Sequence, residues 1–196
     1  MTDRKIFNDA VEKNLEQNIY YHSLALEACM GGIYDYLKTF NLLNDSEPTK
    51  EEWTLAGLVH DIDYSGEFKD LHPLKTKEAL KKYDLEISDT VQEIILAHDG
   101  RQNCVYDNKA KWAIFCADSL TGLIVAVALV YPSKKLTDVK TSSVLKRFLK
   151  EPKFAAGTRR DEVSKCELKE GLNIPLEKFI EICLQSMQQI APQIGL

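Results

Sequence analysis

Four histidines and a few aspartates are the residues of this 196-residue chain whose types and spacing could do chemistry. His22, His60, His72 and His98 each fall near the end of a segment with helical periodicity or in the turn beside one, and two of them open the pairs His60-Asp61 and His98-Asp99. Imidazole nitrogen and carboxylate oxygen together suit zinc, iron, manganese and similar divalent ions, whereas a closed structural zinc site would use thiolates. The five cysteines, Cys29, Cys104, Cys116, Cys166 and Cys183, are odd in number, scattered and free of any CxxC pair. Neither a disulfide framework nor a thiolate metal site is expected, and a reducing compartment is the simpler reading. A histidine taken singly is more often a core or surface residue than a ligand. The order carries the signal: a histidine at a helix start, the run Ala56-Gly-Leu-Val-His-Asp61 closing an apolar helix, the pair His72-Pro73, His98 closing the next helix, then Ala117-Asp118 inside a buried helix.

Helices must position these groups, because helical periodicity dominates and alternating strand patterns are scarce. His22, Ala25, Cys29, Gly32, Ile33, Tyr36 and Phe40 recur at steps of three or four along one stripe. Thr49 and Glu52 have the spacing of a capping box, which starts a helix running from about Lys50 toward His60. Ile62 to Pro73 reads as a loop, with Pro73 in the first turn of a helix to about Tyr83. Ser88 is the expected N-cap of Asp89 to His98, and Lys109 to Tyr131 is the expected long buried helix. Leu176, Phe179, Ile180, Cys183, Leu184, Met187 and Ile190 form a last amphipathic stripe. The stretch Trp112 to Tyr131 approaches membrane-span length, but Asp118, Ser119 and Thr121 inside it favour a buried core helix over a membrane span. The first residues alternate charge with isolated apolar side chains and offer no signal-peptide segment, so the chain reads as mature and cytoplasmic. The expected fold is all-α, one domain with a core over about 18–131 and a helical extension over about 132–196, large enough to bury a core without staples.

The series His22, His60-Asp61, His72, His98 and Asp118 resembles the HD superfamily of metal-dependent phosphohydrolases. Trp53 to Tyr64, Phe115 to Pro132, and Ser142 to Arg160 with its Phe-Ala-Ala-Gly run look like a group of small bacterial HD hydrolases. The resemblance implies an HD-type helical bundle in which His22, His60, Asp61 and Asp118 hold one divalent ion, while His72 and His98 hold a second. Manganese, iron, magnesium, zinc and nickel are not distinguished. With two ions Asp61 is the natural bridge, since each of its oxygens can serve one of them, and a shared water would be acidified enough to supply hydroxide near neutral pH. With one ion, His72 and His98 become candidates for positioning substrate or protonating a leaving group. The chain departs from the resemblance at His60-Asp-Ile-Asp-Tyr64, where many HD proteins have His-Asp-Ile-Gly-Lys. Lys75, three residues after His72, is the candidate for the missing phosphate contact, set against a solvated surface lysine. Asp63 and Asp99 are candidate acceptors that would fix a ligand tautomer, set against ordinary loop carboxylates.

The expected activity is hydrolysis of a phosphomonoester or phosphodiester, nucleotides included. A di-iron oxygenase of the HD type and a nucleotide-sensing module with little turnover are the rivals. The segment from Lys134 to Arg160 carries +7 against −12 for the rest of the chain, which suits capture of a small phosphorylated substrate. Lys146 and Arg160 are the candidate substrate contacts there, Arg160 through a forked grip on phosphate and Gly157 through close backbone approach. The alternative is a solvated basic face and a plain linker. A net charge of −5 and the lack of a binding motif weigh against nucleic acid as the main partner.

Overall fold

Local signals start most of the helices where the sequence places them. In the computed structural model, which describes residues 3–100 and 104–196, nine α-helices follow one another with no strand among the described residues. They are α1 (Arg4–Asn14), α2 (Gln17–Thr39), α3 (Lys50–Val59), α4 (Thr76–Lys81), α5 (Asp89–Leu96), α6 (Lys109–Val130), α7 (Thr141–Lys150), α8 (Arg160–Ser164) and α9 (Leu176–Gln189). Both halves of the Thr49–Glu52 capping box are formed at the start of α3, and the Ser88 side chain accepts from the Val91 N–H at the start of α5. Each such cap contributes about 1 kcal/mol by satisfying N–H groups that have no partner within the helix. α1 lies where charge alternation gave no expectation of a helix. Asp3 caps it by accepting from the Lys5 N–H, and its Phe7, Ala10 and Val11 are buried together at helical spacing.

One apolar cluster runs through the molecule from Phe7 to Ile194 and draws side chains from all nine helices. The segment expected as an extension is therefore part of the core: α9 packs on α2, α6 and α7. The buried face of α2 is also broader than the expected stripe. Leu26, Met30 and Leu37 are fully buried beside Cys29 and Ile33, while Phe40, one residue past the last turn, is exposed. α6 is apolar on every side, long enough by composition to cross a membrane, and two thirds of its apolar window is buried inside the protein.

Two packing details set up the site. α2 and α3 approach so closely that a Cβ added at Gly57 would lie 2.9 Å from the Glu27 backbone, which sets the end of α3 against the middle of α2. Asn14, the last residue of α1, donates to the Ile62 carbonyl at 2.5 Å and to Ser65 Oγ at 2.8 Å, and accepts from the Tyr83 hydroxyl. It thereby ties down the loop that follows His60-Asp61.

Candidate metal centre

His22 projects from the second turn of α2, His60 and Asp61 from the end of α3, and Asp118 from the middle of α6. Their ligating atoms converge. His22 Nε2 is 2.9 Å from Asp118 Oδ1 and 3.2 Å from His60 Nε2, and His60 Nε2 is 3.3 Å from Asp61 Oδ2. His72 and His98 form a second pair, Nε2 to Nε2 at 3.0 Å, with His72 Nε2 at 3.4 Å from Asp61 Oδ1. The two oxygens of Asp61 thus face different histidine pairs. Two ligands bonded at about 2.1 Å and at right angles lie about 3.0 Å apart, so both pairs have the spacing of neighbouring ligands on one ion.

The other nitrogen of every ring is already committed. His60 Nδ1 donates to the Gly57 carbonyl at 2.9 Å, His98 Nδ1 to the Ile95 carbonyl at 2.6 Å, and His72 Nδ1 to Asp63 Oδ1 at 2.7 Å. Thr121 donates its hydroxyl proton to the Asp118 carbonyl at 2.7 Å, which leaves its oxygen to accept from His22 Nδ1 at 2.9 Å. With the Nδ1 proton spent in all four rings, the Nε2 of each ring in its neutral form presents a lone pair, and in each pair the two Nε2 atoms face one another. Such an arrangement is repulsive unless a cation or an extra proton stands between them. Histidine nitrogens and carboxylate oxygens, oriented by outer hydrogen bonds, fit one or two divalent cations.

The electrostatics follow from burial and these contacts. Burial opposes the charged form of Asp118 and Asp61, yet the His22 hydrogen bond on the first and the His60 ring on the second hold both carboxyls well below the usual range. Burial, with the His60 ring alongside, pushes His98 down to about 4. His22 and His72 go the other way: burial works against their protonated forms, but Asp118 and Asp63 respectively outweigh it and raise them.

Asp63 is fully buried, with its second oxygen accepting from the Lys75 N–H at 2.8 Å. This tie holds residues 72–75 out of the helix, so α4 starts at Thr76 and not at Pro73. It also corrects the reading of Lys75, whose ammonium pairs with Glu78 and does not line the metal cleft. Tyr64, at the position of the missing lysine, does line it and packs edge-on against His72 with ring centroids 5.2 Å apart.

Arg160 is a second correction. Its guanidinium donates to the carbonyls of Phe148, Glu151 and Phe154, which binds the end of α7 to the turn after it and leaves no free fork for phosphate. Ala155, rather than Gly157, takes the left-handed conformation in that turn, with φ 45°. Lys146 lines a separate groove with Tyr131, Pro132 and Arg147. Of the basic residues from Lys134 to Arg160, only Arg159 lines the metal cleft. Its Nη2 donates to Asp118 Oδ2 at 2.7 Å and its Nε to Glu162 at 2.5 Å, with the side chain 44% exposed at the cleft mouth. Asp99 also lines the cleft, which has a volume of about 710 Å³. Comparison with protein-family models, curated proteins and solved structures returned no match, so the reading of this site rests on its geometry.

Proposed function

We propose that this chain is a divalent-metal-dependent phosphoester hydrolase of the HD type. The observation that carries the reading is the convergence of four Nε2 atoms around the two oxygens of Asp61 while all four Nδ1 protons are spent elsewhere. His22, His60, Asp61 and Asp118 would hold one cation, and Asp61, His72 and His98 a second. Bound there, the cations would polarise a phosphoryl group and acidify a water for attack on phosphorus.

The chain's own residues do the rest. Thr121, the Gly57 and Ile95 carbonyls, and Asp63 hold the ligand rings in the tautomer that points Nε2 inward. Arg159 keeps Asp118 in place and presents its exposed side to a phosphoryl oxygen, the role expected of Arg160. If a single cation is held by the first set, His72 can hand a proton to the leaving oxygen. Asp63 supports its charged form and Tyr64 walls it from the side. A small phosphorylated substrate, with nucleotides in the class, fits the cleft volume, and a cytoplasmic setting suits five free cysteines.

The test is metal analysis of the purified protein joined to a screen of phosphoesters with manganese, magnesium, iron, zinc and nickel. Phosphate release is expected from wild type and not from Asp61→Ala, with helical content unchanged. Full activity in Asp61→Ala, or oxygen uptake by the iron-loaded protein without phosphate release from any ester, overturns the reading.

A further inference from the structure

Arg159 is held at both its ends, and the hold on its backbone is one that the hydrolase chemistry does not use. Along the side chain, Nε donates to Glu162 Oε2 at 2.5 Å, and Nη2 to Asp118 Oδ2 at 2.7 Å and to the His98 carbonyl at 3.4 Å. Those contacts engage three of the five guanidinium N–H groups. The two on Nη1 have no partner among the described residues, and they are the donors left for a phosphoryl oxygen. The backbone hold is separate: the Arg159 N–H donates to Ser119 Oγ at 3.0 Å.

Ser119 sits in the middle of α6, one residue after the proposed metal ligand Asp118, and Arg159 is the residue just before α8. The bond therefore joins the helix that carries a ligand to the segment that carries the arginine, 40 residues apart in sequence. It also holds the register in which Arg159 faces the cleft while Arg160, the first residue of α8, turns its guanidinium to the carbonyls at the end of α7 and in the turn after it.

The two holds respond differently to what binds. The attraction between Arg159 and Asp118 weakens where the Asp118 carboxylate shares its charge with a cation, and a phosphoryl oxygen competes for the same guanidinium. A hydroxyl oxygen accepting from a backbone N–H carries no net charge, so neither event disturbs it. The side-chain contacts are thus the ones that substrate exchanges, and Ser119 is the fixed point from which the arginine works. This bond lies at an exposed edge of the protein, where water replaces a lost hydroxyl, so fold stability depends little on it.

We infer that Ser119 is a positioning residue, which acts through Arg159 to set the guanidinium against the phosphoryl group at the metal centre. The inference rests on the hydrolase reading for what the arginine grips, so its test reads binding as well as turnover. The probe is inorganic phosphate, titrated by calorimetry into the protein loaded with the divalent ion it retains best. Wild type, Ser119→Ala, Arg159→Ala and the double variant are compared. Alanine is the strongest helix former, so α6 is not weakened and the thermal midpoint of Ser119→Ala is expected to hold. Ser119→Ala should weaken phosphate binding by about three- to tenfold, the size of one lost hydrogen bond, and leave it unchanged in the Arg159→Ala background. For an ester that the protein cleaves, KM should rise by the same factor while kcat holds. Wild-type phosphate affinity in Ser119→Ala, or the same loss with and without Arg159, overturns the positioning role. The expected coupling in a protein that cleaves no ester upholds that role and overturns the hydrolase reading. Phosphate that binds to no metal-loaded form of the protein overturns both.

Discussion

Replacing Asp63 with asparagine removes one charge from a residue outside both proposed ligand sets, and its hydrogen bonds say what that should do. Asp63 is fully buried and accepts two hydrogen bonds, one from His72 Nδ1 and one from the Lys75 N–H. An amide has one oxygen for these two donors, so its NH2 group must face one of them. Facing Lys75, the NH2 leaves a buried backbone N–H unsatisfied, at a cost of about 1–3 kcal/mol. Facing His72, it drives the ring proton to Nε2, and the lone pair aimed at Asp61 is lost. Either outcome should weaken the second ion by the roughly ten- to hundredfold that outer partners of metal ligands commonly contribute, the first because the tie that positions residues 72–75 is lost and the second because the lone pair is. Competition with a chromogenic chelator reads the two affinities separately. The proposed first ion, on His22, His60, Asp61 and Asp118, should keep its wild-type affinity. Equal weakening of both ions, or no change in either, would refute the assignment of Asp63 to His72.

The neighbouring arginines should separate in the same style. Arg160→Ala loses its contacts to four carbonyls and is expected to cost about 1–3 kcal/mol, lowering the thermal midpoint by about 2–10 °C, whereas Arg159→Ala should leave the midpoint nearly unchanged and raise KM for a phosphoester. The reverse pattern would exchange their roles. Metal uptake should release protons. His22 and His72 are raised above their ordinary value of about 6.5 and so carry protons in the ion-free protein near that pH, while His98, at about 4, contributes none. Affinity should accordingly climb with pH from about 6 until both rings are neutral, and a binding enthalpy at pH 6.5 that ignores the buffer's ionisation enthalpy would contradict this. In a His72→Ala, His98→Ala double variant the stoichiometry should fall from two ions to one. A wild type that saturates at a single ion with every metal tried would return these histidines to proton or substrate handling.

What could be read from the residues was whatever short-range chemistry decides. Thr49 with Glu52 and Ser88 announce helix starts because a cap is a local hydrogen bond, and both are formed. The residues that converge, His22, His60-Asp61, His72, His98 and Asp118, were named by their order along the chain and by the resemblance to the HD superfamily, not by any local rule. Long-range contacts were illegible. Pro73 looked like a helix start, but Asp63, ten residues earlier, captures the Lys75 N–H and delays the helix to Thr76. Arg159 and Arg160 differ by one position, which in a helix is a rotation of about 100°. Only the boundary at Arg160 decides which guanidinium meets the cleft. α1 was missed although Phe7, Ala10 and Val11 have the right spacing, because the charges between them masked it.

The reach of Asn14 has a practical side. The loop that carries Asp63 and leads to His72 is moored through its side chain to a helix 48 residues earlier in sequence. On the two-ion reading, the number of ions retained would therefore gauge how well the first helix is docked. Fusions or deletions near residue 4 that loosen that docking should yield a one-ion protein with every ligand intact, and two preparations differing only at the N-terminus could be mistaken for proteins with different cofactors.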